Sequence, residues 1–395
     1  MSEWRLLSLA SVGTVTTGST PATTDGINYG GEVPFVTPAD LGTLHQITTA
    51  GRSLSTIGVR AARLVQPNSV LVCCIGATLG KVGIAGIKLA TNQQINAVTF
   101  DESIIAPRFG LHALRHMRSS LRLMASATTM PILSKSRFEK IQIPVPPMPE
   151  QRRIAEILDQ ADELRAKRHE SLTQLDELTE AIFLNLINSK CAERVGWDNS
   201  LQLGHVAEIS SGITKGRKTL EKSLRAIPYL AVANVQDKRL ALSHVKQIEA
   251  TESEIERYRL RKDDLLLTEG GDPDKLGRGS LWNNELPEAI HQNHIFRVRV
   301  TDPRRVDPVY LNHLVSSDRG KQYFLRSAKQ TTGIASINMA QLRRFPLLLP
   351  PIEVQQEFAR QVEAVQSLTA THRASLAELD ALFASLQDRA FRGLL

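Results

Sequence analysis

The sequence predicts an α+β protein: two tandem α/β domains separated by two long antiparallel helices that form a coiled coil, with pseudo-two-fold symmetry. Three observations lead there. The chain repeats itself, its net charge alternates twice along its length, and each half closes with a long amphipathic stretch that follows a proline cluster. At 395 residues, 42% of them apolar and 23% charged, the chain is long enough for two or three packed domains.

The repeat decides the architecture. Its spacing is roughly two hundred residues. Pro34-Phe-Val36 answers Pro228-Tyr-Leu230. Ser69-Val-Leu-Val72, with Gly76, Gly80 and Lys81 behind it, answers Asp264-Leu-Leu-Leu267, with Gly270, Gly277 and Arg278. Asn92-Gln-Gln-Ile-Asn-Ala-Val98 answers Gln292-Asn-His-Ile-Phe-Arg-Val298. Ile143-Pro-Val-Pro-Pro147 with Gln151 answers Leu347-Leu-Leu-Pro-Pro351 with Gln355. Short β-rich runs at Val70–Cys74, Gly83–Gly86, Ala97–Phe100, Leu265–Thr268 and Ile295–Val300 are bounded by Gly, Asn or Asp. Helical patches at Leu111–Ala125 and Pro308–Ala328 lie among them, so each domain is read as α/β with a modest mixed or antiparallel sheet.

The stretches that close the halves are helical. Residues Glu150 to Ile187 contain no Gly or Pro, and Ile157, Ala161, Leu164, Leu175, Leu178 and Ile182 recur at three- and four-residue steps or their multiples. After Pro350 and Pro351 the stripe returns as Phe358, Val362, Val365, Leu376, Leu379, Phe383, Leu386 and Ala390. Glu150 and Glu353 suit the positive N-terminal end of a helix dipole, and Arg389 and Arg392 before Gly393 suit a C-terminus. The first helix ends where the second domain begins and the second starts where that domain ends. Two such helices that pack together run antiparallel. Some 38 residues give a rod of roughly 57 Å, longer than one DNA turn of about 34–36 Å. The expected boundaries are 1–146, 147–192, 193–349 and 350–395 for domain, helix, domain and helix.

Charge points to the partner. Residues 1–149 carry a net +6, 150–190 a net −3, 191–349 a net +6 and 350–395 a net −2, within +7 overall. Two basic domains alternating with acidic helices suit a polyanion. Cys73 and Cys74 sit together in an apolar run and Cys191 stands alone, which makes neither a disulfide framework nor a zinc pattern. No run reaches the roughly 18 apolar residues of a membrane span, and the start lacks the pattern of a secretory signal. A cytoplasmic location without membrane contact is expected.

Four of these motifs carry a family likeness. Ile143-Pro-Val-Pro-Pro-Met-Pro-Glu-Gln-Arg-Arg-Ile154, Gly76-Ala-Thr-Leu-Gly-Lys-Val-Gly83, Thr91-Asn-Gln-Gln-Ile-Asn96 and Gly270-Gly-Asp-Pro-Asp-Lys-Leu-Gly-Arg-Gly279 resemble the segments of type I restriction-modification specificity subunits. The likeness runs over nearly the whole chain. It implies two target-recognition domains, each reading one half of a bipartite site on double-stranded DNA. It further implies helices that act as a spacer and dock two modification subunits, with room for two restriction subunits. No catalytic residue, metal or cofactor is expected in this chain. S-adenosylmethionine, ATP and magnesium are expected on the partner subunits. In the second half Glu353-Val-Gln355 stands where the first has Pro149-Glu-Gln151.

Candidate site residues follow from charge and turns. Gly76 to Lys81 is one residue short of a phosphate loop, and Val82 stands where that loop needs a hydroxyl, so a glycine turn is the better reading. Lys81 and its counterpart Arg278 then place a cation at a tight turn. Lys215, Arg217 and Lys218, between Gly212 and Gly216 or just past them, form the densest basic loop of the second half. His112 and His116 stand four apart beside Arg115 and Arg118. With no glutamate at Ala113, a basic helix face near DNA, or an equally plain solvated one, fits better than zinc. Lys81, Arg115, Lys215, Arg217, Lys218 and Arg278 are therefore the expected DNA contacts. Arg257, Arg259, Arg261 and Lys262 are balanced by Glu252, Glu254 and Glu256 and read as a surface charge mixture. No Asn/Asp-Pro-Pro-aromatic tetrapeptide of an adenine methyltransferase is present, so flipping and methylating the base falls to a partner. Two rival readings are a coiled-coil adaptor between proteins and a stand-alone nucleotide- or DNA-processing enzyme.

Overall fold

A computed structural model describes residues 4–24, 26–42, 45–126, 130–188, 197–217, 223–271, 276–331 and 334–395. Lys218 and Cys191 lie outside them. The chain divides into two compact units, residues 1–172 with 372–395, and residues 173–371. Four helices shape these units: α1 (Pro107–His116), α2 (Met148–Asn188), α3 (Pro308–Ser316) and α4 (Ile352–Phe391).

The first unit is built on a five-stranded sheet of β1 (Gly13–Thr17), β2 (Gln46–Ile47), β3 (Val70–Cys73), β4 (Val82–Ala85) and β5 (Ile95–Phe100). Its order is β1-β5-β3-β4-β2, antiparallel except where β2 joins β4 in parallel. Both faces are covered, which is why β3 and β4 read as unbroken apolar runs. Val70, Val72, Val82 and Val98 pack on one side with Phe109 and Leu114 of α1 and with Ile154 and Leu158 of α2. Leu71, Cys73, Ile95 and Ala97 pack on the other side under a smaller sheet centred on Tyr29–Val36.

The second unit follows the same plan. β6 (Ala207–Ser211), β7 (Asp264–Thr268), β8 (Gly279–Trp282) and β9 (Ile295–Val300) form a sheet of order β6-β9-β7-β8, the order of their counterparts in the first unit. Pro34-Phe-Val36 and Pro228-Tyr-Leu230 both lie in the central strand of a smaller sheet, and each pairs in parallel with the segment before β5 or β9. Pro107 and Pro308 occupy the first turns of α1 and α3, where a missing N–H costs nothing.

In each unit a stretch of α2 lies beside a stretch of α4. In the first unit Arg165 pairs with Asp380 at 2.6 Å, Arg168 meets His372 at 3.1 Å, and Arg153 donates to the Leu395 carbonyl at 2.6 Å. Rising numbers on one helix against falling numbers on the other make the pair antiparallel. In the second unit Phe183 of α2 meets Phe358 of α4 with ring centroids 5.6 Å apart.

The buried face of α2 departs from the expected stripe. Leu164 and Leu178 are 54% and 45% exposed, whereas Ile154, Leu158 and Phe183, outside that stripe, are buried along with Ala161 of the stripe itself. The helix packs on each domain as well as on α4, so its apolar face turns toward α1 in the first unit and toward α3 in the second and leaves those leucines in solvent.

Phe383 of α4 is held between two cations, the guanidinium carbons of Arg115 and Arg165 lying 4.9 and 4.7 Å from its centroid. Both arginines also share Asp162, at 3.1 and 2.6 Å. Phe383→Leu keeps the bulk but loses the ring face. It is expected to lower unfolding free energy by about 1–2 kcal/mol in a denaturant titration; no change would show that the ring is filler.

Candidate nucleic-acid interface

One end of each central sheet gathers loops. β5 begins where β1, its neighbour on one side, and β3, its neighbour on the other, both end, with Asn96 opposite Thr17 and Ile95 opposite Cys73. The loop after β1, the loop before β5 and the loop from β3 to β4 therefore meet at one edge. In the second unit the ends of β6 and β7 meet the start of β9 in the same way, Ser211 opposite Phe296 and Thr268 opposite Ile295.

Glycine makes the first crossing possible. A Cβ on Gly18 would lie 2.1 Å from the Asn92 carbonyl oxygen, and one on Gly212 1.9 Å from that of His291. No real Cβ comes so close. Backbone bonds lock the crossing: Gly18 and Ser19 donate to Ile95 and Thr91 at 3.0 and 2.9 Å, and Ile213 donates to His291 at 2.8 Å.

The cations singled out by charge and turns fall unevenly on this frame. Lys81 ends the loop between β3 and β4, half-buried beside Gly42, and has no ion-pair partner among the described residues. Arg278 holds the matching place before β8. Its Nη1 donates to Gln236 Oε1 at 2.9 Å, while its buried Nε has no partner among the described residues. Lys215 is exposed on the loop after β6. Arg217 is folded back onto Glu254 through a two-pronged ion pair and also donates to the Glu249 carbonyl at 3.0 Å. That pair holds the Glu254 carboxyl down to about 2. Arg115 sits apart, on α1, in the contacts with Asp162 and Phe383.

The face of α1 is not the open basic surface that its sequence suggests. His112 is fully buried, with Nε2 2.7 Å from Asp159 Oδ1. Arg108 grips the same carboxylate. Burial lowers the His112 pKa, against the opposing pull of Asp159, so the ring is held neutral more firmly than a free histidine. His116 stacks on Phe391, with centroids 4.9 Å apart. No local pattern reveals these contacts, because the partners lie on α2 and α4. Among the described residues no group of three or more His, Cys, Asp or Glu side chains is arranged to hold a metal ion. No described helix is long and apolar enough to cross a membrane.

Two residues that charge and turn patterns overlook join each domain to its long helix. Gln151 of α2 donates from Nε2 to the Ile104 and Pro146 carbonyls, both at 2.9 Å, and accepts from the Ala106 N–H at 2.9 Å. Gln355 of α4 donates to the Arg305 and Pro350 carbonyls at 3.0 and 2.8 Å and accepts from the Asp307 N–H at 3.0 Å. Both are buried. The altered residues before Gln355 leave this contact intact. The only signal in the sequence is that both glutamines occupy the same place in the repeat.

A fold with two α/β units of one plan, each tied by a glutamine to a long helix, defines a class of internally duplicated proteins. The chain belongs to the type I restriction modification DNA specificity domain family, which matches residues 1–175 and again 194–381. It is 23% identical over 310 residues to the type I restriction enzyme StySPI specificity subunit of Salmonella potsdam, covering 74% of this chain and 66% of that one. It is 26% identical over 293 residues to the EcoKI specificity subunit of Escherichia coli K12, covering 70% and 62%. The matched stretches thus span somewhat under two thirds of those relatives' lengths. The S subunit of a type I system from M. genitalium has the same fold, with a TM-score of 0.58 over 98% of this chain and 96% of that chain at 14% identity.

Proposed function

We propose that this chain is the non-catalytic DNA sequence-specificity subunit of a type I restriction-modification complex, each recognition domain reading one half of a bipartite, gapped site. The observation that carries this is the duplicated loop edge: the family's domain occurs twice, and each copy presents a glycine-locked set of loops with cations beside it. The domains are 1–146 and 193–349, and the helices 147–192 and 350–395 dock two modification subunits. Half-exposed leucines support docking, since Leu164 and Leu178 on α2 recur as Leu368 and Leu382 on α4, 52% and 50% exposed. Two matching faces suit two copies of one partner. S-adenosylmethionine, ATP and magnesium belong to the partner subunits, restriction subunits included where present, and the complex works in the cytoplasm.

Lys81, Lys215, Arg217, Lys218 and Arg278 supply positive charge to the DNA, whereas Arg115 on α1, tied to Asp162 and Phe383, serves the packing of its own unit. Lys81 and Lys215 do so most directly, because neither must break an ion pair to meet a phosphate. Lys81→Ala and Lys215→Ala are each expected to weaken binding about equally on all sequences and to reduce the slope of log affinity against log salt by about one. An unchanged slope removes that residue from the interface.

Methylome sequencing of cells expressing the chain with its modification subunit tests the whole reading. A gapped two-part adenine-methylation motif is expected, and exchange of residues 1–146 for another recognition domain changes one half of it. A continuous motif would overturn the reading. An adaptor would give no motif, and a stand-alone enzyme would act without added protein.

A further inference from the structure

The two loop edges share a frame and differ in what stands on it. In the first unit the loop before β5 carries Gln93 and Gln94. Gln93 is exposed and its Oε1 accepts from Thr20 on the loop after β1. Gln94 is half-exposed, and its Oε1 accepts from Asn92 Nδ2 at 3.0 Å. Its backbone carbonyl takes the Cys74 N–H at 2.7 Å, which ties in the third loop. Neither Nε2 donates to an acceptor among the described residues.

In the second unit the same places hold Asn293 and His294. Asn293 is pinned through its backbone, donating its N–H to Ile213 at 3.0 Å and accepting Ser211 Oγ at 2.6 Å, and its side-chain amide bonds to no described residue. His294 has Nδ1 2.7 Å from Glu269 Oε2 on the loop after β7, with its side chain 57% exposed. With Nδ1–H donated to that carboxylate, a neutral ring presents Nε2 as an acceptor. Besides Lys81 and Arg278, each edge carries a further cation close to these groups. Arg63 lies exposed with Nη1 on the Thr17 carbonyl at 3.1 Å, and Lys215 extends from the loop after β6.

We propose that Gln93 and Gln94 in the first unit, and Asn293 and His294 in the second, are the base-reading side chains. This rests on the function proposed above. A duplicated reader of two different half-sites needs one backbone frame, so that the groups arrive at the same depth, and different groups on it. The glycine crossings fix the frame, and at these positions the two units carry different groups. The amides of Gln93, Gln94 and Asn293 match the paired acceptor and donor of an adenine edge, N7 and N6–H2, in the major groove. His294 Nε2 accepts from an exocyclic amino group, adenine N6 or cytosine N4. Arg63 and Lys215 take flanking phosphates, which sets register without sequence preference. A purely structural role for these side chains fits poorly, because their free polar ends are spent on solvent.

The test selects binders from a random duplex library with the full chain and its modification subunits. A two-part motif from the unaltered complex is the requirement of the functional reading; its absence would fell that reading, whatever the variants do. With the motif in hand, Gln93→Ala with Gln94→Ala is expected to cut base preference by about 5- to 150-fold at one or two positions of one half only. Asn293→Ala with His294→Ala does the same to the other half, and neither pair changes the salt slope. Gln93→Asn with Gln94→His, which transplants the second edge onto the first, shifts the preferred base and retains binding. A motif unchanged by both alanine pairs, or one weakened equally in both halves, overturns the assignment while leaving the wider function standing.

Discussion

Replacing Gln151 with leucine is expected to lower the unfolding free energy by about 3–5 kcal/mol, and Gln355→Leu is expected to do the same in the second unit. Leucine fills most of the space but has neither donor nor acceptor. The Ala106 N–H and the Ile104 and Pro146 carbonyls are left without the partner that the glutamine provides. An unmet buried polar group costs about 1–3 kcal/mol, and three are stranded together. Gln151→Glu is the sharper variant. A carboxylate still accepts from Ala106 but faces two carbonyl oxygens with no proton to give, so its loss is expected to shrink as acid protonates it. Urea titration at pH 7 and at pH 5 reads both effects. A loss below about 1 kcal/mol for both leucine variants would mean that water replaces the side chain and that the clamp is incidental.

These glutamines also show where sequence reading stops. That Gln151 and Gln355 hold the same place in a repeat is visible as letters. That each binds the loop ahead of α1 or α3 is not, because every partner is a backbone group some fifty residues away or beside the helix start. The strands are legible because β3, β5 and β7 are short, largely apolar runs with turn residues at their ends, and β9 alternates apolar residues with arginines. The long helices are legible because nothing breaks them and prolines precede them. Which side of a helix is buried is less so: two stripes on α2, one through Leu164 and one through Leu158, are a residue or two apart, and only the docking of α1 chooses between them. Charge misleads for a similar reason. His112 and Arg115 look like a basic face until Asp159 and Asp162 arrive from α2. Glu252 and Glu256 do join a surface mixture with Arg225, Arg259 and Arg261, but Glu254 belongs to Arg217. Ion pairs between elements depend on tertiary geometry that no local pattern carries. The loop edge is half visible, since its glycines and amides stand in aligned motifs while their convergence depends on strand order.

Acid is expected to destabilise the second unit well before its carboxylates titrate. His291 and His313 are buried, and burial lowers both to about 4 from an ordinary 6.5. Neighbouring Arg297 and Arg299 push His291 further down, against its bond to the Ile295 carbonyl, and Lys238 pushes down His313 against Glu180. The folded rings stay neutral while the unfolded chain takes up protons from about pH 6.5 downward. Stability is therefore complete above 6.5 and drains away as pH falls toward 4. At pH 5 the two rings together cost about 4 kcal/mol relative to pH 7.5. His313 lies against Phe183 and Phe358, with centroids 6.0 and 5.1 Å away, and its Nδ1 has no partner among the described residues. His313→Leu removes a titrating group from an apolar site and is expected to halve the pH slope, leaving the variant about 2 kcal/mol ahead of the parent at pH 5. Parallel stability curves for parent and variant between pH 7.5 and 5 would mean that the ring is already protonated in the fold or that the site opens to water.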